Sequence, residues 1–377
     1  MARAVVIGAG VGGLAAGLAL QRTGWDVTIL ERAPALEQVG AGLAVAPNAL
    51  RALDALGVGT EVRALSALQG EAGITAANGR WISRTDAAAA EARFGEPTVV
   101  VHRATLVGLL AGALAEGTLR LGVEAGPVDA AAGTVTVGGQ QETADLVVAA
   151  DGLHSPVRRQ LFPAAPAPVY TGVTSWRIVV PHPGVPLRPV ESWGRGTVFG
   201  IAVLGDGRVY CYATALAPAG ARADDEKAEM LRIFGRRPAP IPQLIAAADT
   251  VVRTDIRCLD TPLERFHDGR VALLGDAAHA MTPNLGQGAC QAIEDAVVLA
   301  TYADRPGGLA LYSAGRVPRT TAVAAASRRI GRLTQLRNPM AVWARDTAMR
   351  LAGRAGPNLV LRQMDPVLSW RPPDVSR

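Results

Sequence analysis

Residues 2–32 read ARAVVIGAGVGGLAAGLALQRTGWDVTILER, and the order of residue types in this stretch decides the fold. The apolar run from Ala4 to Ile7 has the length of a buried strand, and glycines follow it at once. A helix is expected from about Leu14 to Thr23, stopped by Gly24, and a second strand from Val27 to Leu30, closed by Glu31. Strand, glycine turn, helix and strand make a βαβ unit. Within it Gly8, Gly10 and Gly13 form GxGxxG, with Val11 inside the turn and Gly12 adding room. The three glycines serve different physical ends, since Gly8 permits the tight turn, Gly10 lets a pyrophosphate approach the backbone, and Gly13 lets the helix lie close on the strand. Glu31 lies 18 residues beyond Gly13, where a carboxylate can take the hydroxyls of an adenosine ribose. The helix start favours phosphate through its free N–H groups and its dipole. Dinucleotide binding is the reading, against a glycine-rich turn of no function.

The rest of the chain does not continue as a nicotinamide dehydrogenase would, with alternating strands and helices. After Glu31 comes RAPALEQVGAGLAVAPNALRALDALGV, in which Gly40, Ala41 and Gly42 precede a helix expected from Asn48 to Leu56. Residues 70–100 read as short strands with turns. At 145–158 an apolar strand ends in Asp151-Gly152, with Ser155 and Arg158 following. The DGxxSxxR spacing lets a carboxylate and a glycine backbone face one crevice while Arg158 meets a phosphate or carboxylate; Asp151 could equally be a helix cap.

A third segment, GDAAHAMTPNLGQG at 275–288, follows an expected strand from Arg270 to Leu274. Gly275-Asp276 should turn at its end, and a helix from Gln287 to Ala300 should start behind Gly286 and Gly288. An acid at the strand end can hold a polyol chain. An uncapped helix start offers N–H donors to a ring system that becomes anionic on reduction. A bound flavin passing over this backbone explains why bulky side chains are kept away.

Composition narrows the classes. With 49% hydrophobic and 19% charged residues, the 377-residue chain reads as globular, not disordered, and long enough for about two or three domains. The net charge of +5 comes almost wholly from scattered arginines, Lys227 being the sole lysine, so neither a nucleic-acid-binding tail nor a membrane-binding run is indicated. Cys211, Cys258 and Cys290 form no CxxC, which fits a reducing cytoplasm. No apolar run is long enough to span a bilayer. No metal-ligand spacing is present, and none is expected to be needed.

Taken together, GAGVGG with Glu31-Arg32, DGLHSPVR and GDAAHAMTPNLGQG strongly resemble, in order and separation, the three fingerprints of the class A FAD-dependent monooxygenases. These are the single-component flavin aromatic hydroxylases with the p-hydroxybenzoate hydroxylase fold, and in length and spacing the chain is similar to urate- and salicylate-hydroxylase-like members. The resemblance covers roughly residues 1–335. It implies an α/β fold, with a Rossmann-like FAD-binding domain interleaved with an antiparallel-sheet substrate domain and followed by C-terminal helices. The FAD-binding domain would comprise 1–70, 100–163 and 257–335, the substrate sheet 71–99 and 164–256, and the tail 336–377.

By position, the resemblance implies that Gly8, Gly10, Gly12 and Gly13 lie along the FAD pyrophosphate, with Glu31 on the ribose and Arg32 beside the adenosine half. Ala44 and Arg103 match cofactor-contacting positions, and Gly275-Asp276 would hold the ribityl chain. Pro283 would lie near the reactive edge of the flavin, and Leu285, Gly286, Gln287 and Gly288 would present backbone to the pyrimidine side. Asp151, Gly152 and Arg158 match a fingerprint shared between FAD and the nicotinamide donor. The implied reaction uses NADH or NADPH to reduce FAD and adds O2 at flavin C4a, as a hydroperoxyflavin, to hydroxylate a small aromatic. The cofactor does the chemistry; the protein orients, shields and deprotonates.

Substrate choice should reside in 164–256, where alternating strands suggest a sheet covering the flavin. Tyr210, Trp176 and Arg177 are pocket candidates there, with Pro283 and Asn284 from the third motif. Ordinary packing is a live alternative for Tyr210, and His102, His154 and His279 read as structural. Urate hydroxylases carry Asp where Asn284 stands, and Asn cannot serve as a carboxylate base. A phenolic, quinol-like or heteroaromatic substrate is therefore preferred. The tail reads as two short helices broken near Pro339, with Met340, Val342, Trp343, Met349 and Leu351 free to pack on the body, a second subunit of a homodimer or a membrane. A disulfide reductase is excluded by the missing CxxC and second GxGxxG. A flavin dehydrogenase or reductase of the same fold remains the alternative, and a non-catalytic flavin-binding module a remote third. The purified protein should be yellow and release FAD on denaturation; a colourless protein that ignores added FAD would refute the cofactor reading.

Overall fold

The computed structural model describes residues 1–36, 41–65, 70–354 and 361–373, so Gly40 of the second small-residue stretch lies outside the described residues. The first strand forms over Arg3–Ile7 and the second over Asp26–Glu31, paired in parallel. Between them the helix runs Val11–Arg22, beginning three residues before the expected Leu14, because Gly12 and Gly13 belong to its first turn. Their lack of side chains is what allows that turn to sit against its neighbours.

This unit is the centre of a six-stranded sheet ordered His267–Asp268, Val271–Leu273, Leu146–Ala149, Arg3–Ile7, Asp26–Glu31, Leu119–Leu121. All neighbours are parallel except the first pair. Such a sheet is covered on both faces, and its central strands read as unbroken apolar runs for that reason. Val5, Val6, Val147, Val148 and Val271 are fully buried. The helices Val11–Arg22 and Gly288–Tyr302 pack on each other beside it.

A seven-stranded sheet forms the second layer, ordered Val252–Cys258, Val169–Val180, Val209–Leu216, Thr197–Val203, Val190–Trp193, Glu71–Ala76, Trp81–Asp86. It is antiparallel apart from one junction, where Val190–Trp193 and Glu71–Ala76 run parallel; the purely antiparallel expectation is corrected there. The two strands come from segments far apart in sequence, so no hairpin fixes their direction. Period two divides the sheet into unlike faces. Trp176, Ile178, Phe199, Ile201, Cys211 and Ala213 pack under the helices Glu226–Phe234 and Ile241–Ala246 in a core of their own. Arg177, Val179, Tyr210, Tyr212 and Thr214 project from the other face.

Three further differences from the sequence reading have identifiable causes. Ala87–Phe94 is a helix and not strand or turn, capped by Asp86, whose carboxylate accepts from the Ala88 N–H at 3.3 Å, and ended by Gly95 at φ 73°. Its alanine run carries no hydrophobic period to reveal it. Residues 125–143 add a three-stranded antiparallel sheet. The break near Pro339 is real, but it separates a 27-residue helix, Gly308–Thr334, from a 16-residue one, Pro339–Arg354, in place of two short helices.

Phe199 is fully buried and its ring lies 5.5 Å from that of Phe234, fixing the helices to the back of the second sheet. Phe199→Ala should lower unfolding stability by about 3–5 kcal/mol in a urea titration; a loss below about 1 kcal/mol would show that this face is not a close-packed core.

Candidate active site

The three motifs meet. An added Cβ on Gly8, whose φ is +101°, would stand 2.5 Å from the Ala150 carbonyl oxygen, next to Asp151. One on Gly13 would stand 1.9 Å from the Gly8 oxygen and 3.3 Å from Ala150 Cβ. One on Gly12 would meet Leu274 Cδ2 at 2.8 Å, and one on Gly275 would meet Ala292 at 3.1 Å. The glycines at 8, 12, 13 and 275 are thus explained by contact between protein segments. Gly10 is not: a Cβ there would meet no atom of the described residues within 4 Å. Its glycine makes sense if a ligand passes across it.

Two other features fit a dinucleotide with a phosphate bridge. The helix Val11–Arg22 is entered through Gly10 and the helix Gly288–Tyr302 through Gln287; neither has a side-chain cap nor an acid in its first turn. Among the described residues their leading N–H groups have no side-chain cap, which leaves them free for an anion. Asp151 Oδ1 is buried and unpartnered, while Oδ2 accepts from the Val157 N–H at 3.3 Å. Burial raises the Asp151 pKa, partly offset by the nearby Ser155 hydroxyl and the Val157 N–H.

Around this crevice the remaining sequence candidates take distinct places. Glu31 accepts from the N–H groups of Ala9 at 2.8 Å and Ala33 at 2.9 Å, so its carboxylate is held at the strand end with lone pairs to spare. Arg32 and Arg103 are exposed; Arg103 opens the helix Arg103–Gly112, its N–H donating to Ala41. Ala44 lies in the strand Gly42–Val45, paired with Val99–His102, and its carbonyl accepts from Cys290 Sγ at 3.4 Å. Asp276 is exposed, its Oδ1 4.0 Å from a Cβ placed on Gly288. Pro283–Leu285 is a single 3-10 turn ended by Gly286 at φ +63°, which faces Ala44.

Arg158 is positioned differently from the sequence expectation of a phosphate or carboxylate contact. It is 2% exposed, and its guanidinium donates to the carbonyls of Ala277 at 2.9 Å and Leu153 at 2.6 Å. It ties the second motif to the third, and burial lowers its pKa. Gly152, at φ +80°, makes the turn that begins this segment. Gln287 is likewise inward, accepting from Asn48 at 3.0 Å and from Gln291 at 3.1 Å.

Trp176 is a correction. It lies on the back of the second sheet, its indole N–H donating to Glu226 at 2.7 Å, so alternation along the strand turns it away from the crevice. Arg177 and Tyr210 occupy the crevice-facing side, Tyr210 against Val100, Ala41 and Gly42. Burial pushes the Tyr210 phenol up to about 12. Tyr212, 5.7 Å from it ring to ring and bonded to Glu191, is raised further by burial and the adjacent carboxylate. Neither phenol is poised to act as a base near neutrality. Below them Thr171, Val173, Thr214, Ile256, Thr282 and Asn284 line a small pocket between the sheet and the third motif. Its side chains include no charge. Asn284 is packed against Gly331 of the long helix, where a Cβ would be 2.9 Å from its Oδ1.

Sequence reasoning missed what holds the third motif in place. Asp295, fully buried, accepts from the Gly275 N–H at 3.0 Å, from His279 at 2.5 Å and from Arg316 Nε at 2.5 Å. Glu294 beside it binds Arg316 at 2.6 Å, Arg319 at 2.5 Å and Asn48 at 2.6 Å. The available signal was an acidic pair inside the otherwise uncharged helix stretch ACQAIEDAVVLA, since buried acids demand partners. His279, read as structural, has that place. Burial alone would raise the Asp295 pKa, but His279 and Arg316 outweigh it and hold the group at about 2.

Residues 1–324 match the family model of the FAD_binding_3 FAD binding domain, and the chain belongs to that family. Among its relatives, an aurachin C monooxygenase/isomerase of Stigmatella aurantiaca is 42% identical over 92% of this chain and 93% of its own. A 2-heptyl-3-hydroxy-4(1H)-quinolone synthase of Pseudomonas aeruginosa is 34% identical over 93% and 94%, and an FAD-dependent urate hydroxylase of Klebsiella pneumoniae 33% over 79% and 80%. The crystal structure of Klebsiella pneumoniae HpxO complexed with FAD and uric acid superposes with a TM-score of 0.89 at 28% identity, covering 98% of this chain and 97% of that one. The protein is an FAD-dependent monooxygenase of the aromatic-hydroxylase type.

Asp295→Asn should cost about 3–5 kcal/mol in urea unfolding at pH 7, because Arg316 is left buried without its full charge partner. The pH-dependent part of the wild-type advantage comes from a carboxylate whose folded pKa is depressed from 3.8 to about 2. It should therefore be constant above about pH 5 and shrink only as the pH falls from there towards 2; a deficit that grew on acidification would contradict the assignment.

Proposed function

We propose that this enzyme uses NADH or NADPH and O2 to hydroxylate an uncharged bicyclic heteroaromatic of the 4(1H)-quinolone kind, in the cytoplasm. Bound FAD supplies the oxygen-activating chemistry. The observation that carries the reading is the convergence of three glycine-bearing motifs on one crevice, roofed by a sheet whose facing pocket has no charged side chain.

In this reading Gly8, Gly10, Gly12 and Gly13 bring backbone to the pyrophosphate and Glu31 takes the ribose hydroxyls. Arg32 and Ala44 flank the cofactor, and the exposed Arg103 provides cation charge near it. Asp276, behind Gly275, holds the ribityl chain. Leu285, Gly286 and Gly288 offer backbone to the ring, with Gln287 bracing them from inside. Asp151 and Gly152 line the crevice, and Arg158 acts on it indirectly by fixing the third motif. Pro283, Asn284 and Tyr210 orient substrate and keep water away from the reacting centre, while Arg177, on the same face of the sheet, donates to Thr254 and is not among the side chains that line the uncharged pocket.

Substrate class follows from charge. An anionic carboxylate or urate bound in a dry pocket calls for a cation, because an unpaired buried charge is costly. The pocket under Asn284 offers hydroxyls, an amide and aliphatic side chains instead. Its hydrogen bonds suit a neutral ring bearing a carbonyl and an N–H, and two relatives are named for aurachin C and for a heptyl quinolone.

Screening 4(1H)-quinolones against salicylate and urate for stimulated NAD(P)H oxidation tests this, with 18O2 incorporation read by product mass. A quinolone should accelerate oxidation and gain one labelled oxygen. Accelerated oxidation with no label would favour a dehydrogenase or reductase, and preference for urate or salicylate would overturn the substrate class. Asp276→Ala should weaken FAD binding by about tenfold or more, as loss of a charged hydrogen-bond acceptor does. Unchanged affinity in a fluorescence titration would remove the ribityl role.

A further inference from the structure

The helix Pro339–Arg354 has used its inward face fully. Met349 packs with Ile330 and Leu333 around Ile82 and Trp193. Arg345 is buried, donates to Asp346 and to the Leu333 carbonyl, and lies 5.2 Å over the Trp193 ring. Arg350 donates to the Trp81 carbonyl at 3.2 Å. The helix is thus fixed to the body and has no unsatisfied reason to roll inward.

Its outward face is nevertheless apolar. Met340 is 79% exposed, Trp343 68% and Leu351 57%, and Ala344 and Ala348 fill the exposed positions between them. Three large side chains on one side of a single docked helix form a cluster, unlike the singly scattered exposed residues of an ordinary surface. Along this stretch of the chain the unpaired charge has one sign. Asp346 is the sole acid between Asp304 and Asp365, and it is already paired with Arg345. Arg337 and Arg354 are exposed near the two ends of the helix, Arg332 is exposed in the last turn of the helix before it, and none makes a salt bridge among the described residues.

We propose that this face docks on an anionic lipid bilayer, with Met340, Trp343 and Leu351 entering the headgroup boundary and Arg332, Arg337 and Arg354 meeting lipid phosphates. An apolar stripe flanked by arginines, with tryptophan among the apolar residues, has the chemistry of an interfacial helix. The long arginine stems can lie along the apolar layer while their heads reach the phosphates. A second copy fits less well, since a two-fold interface places the same patch on both sides and would set arginine against arginine. No helix among the described residues is long and apolar enough to cross a membrane, so the contact is peripheral. The proposal does not depend on the substrate assignment, although an enzyme at the bilayer surface could draw a lipophilic ring compound directly from it.

The test is flotation of the FAD-loaded full chain with vesicles of phosphatidylglycerol and phosphatidylcholine, against vesicles of phosphatidylcholine alone. The protein should float with the anionic vesicles and be released by high salt. The triple variant Met340→Ser, Trp343→Ser, Leu351→Ser should bind about tenfold more weakly, as should Arg337→Gln with Arg354→Gln. FAD content and NAD(P)H oxidation in vesicle-free buffer should match wild type, which establishes that the variants are folded. Failure of the wild type to prefer anionic vesicles overturns the proposal, as does equal binding by the triple variant. Light scattering that shows a dimer abolished by the triple variant, without vesicle binding, assigns the face to a second copy instead.

Discussion

The structure depends on backbone approaching backbone at the end of the first strand. Gly8 lies against Ala150, Gly13 against Gly8, and Gly12 against Leu274, at separations that leave no room for a Cβ. Any side chain at these three positions would push apart segments that the fold brings together from distant parts of the chain. Their contact is what turns three separate turns into one crevice, and it places two uncapped helix starts beside it.

Holding that crevice in shape falls to a buried ionic cluster. Asp295 and Glu294 each receive arginine from the long helix Gly308–Thr334, and Asp295 also accepts from Gly275 and His279. Buried charges of this kind add little net stability over apolar packing, but they are intolerant of misplacement. Here they fix the turn that carries Asp276, Pro283 and Asn284 to a helix far along the chain. Arg158 performs a similar service from the second motif, through carbonyls in place of carboxylates.

The second sheet acts by having two different faces. One is an aromatic and aliphatic core closed by its own helices. The other can then carry Arg177, Tyr210, Thr214 and an uncharged pocket towards the third motif.

Much of this was legible in the sequence. The βαβ unit, the acid at Glu31, the turn at Gly275-Asp276 and the helix behind Gly288 are local patterns, since glycine, strand period and helix stop signals act over a few residues. Alternation along the strand also places Tyr210 and Tyr212 on one face from the sequence alone. It could not say which face looked at the crevice, and so Trp176 and Arg177, one residue apart, read alike although they point in opposite directions. Arg158 and Gln287 had the right neighbourhood, yet only their partners, Ala277, Leu153 and Asn48, reveal that they work inward. Asp295, Glu294 and Arg316 went unread because the acidic pair in its otherwise uncharged helix signals a need for partners but does not say which residues, far off in sequence, supply them. Sequence determined which segments could approach a dinucleotide, because that needs only small residues in local order. Tertiary structure decided which polar groups remain free to act, because that is settled by the partners that long-range packing brings to each of them.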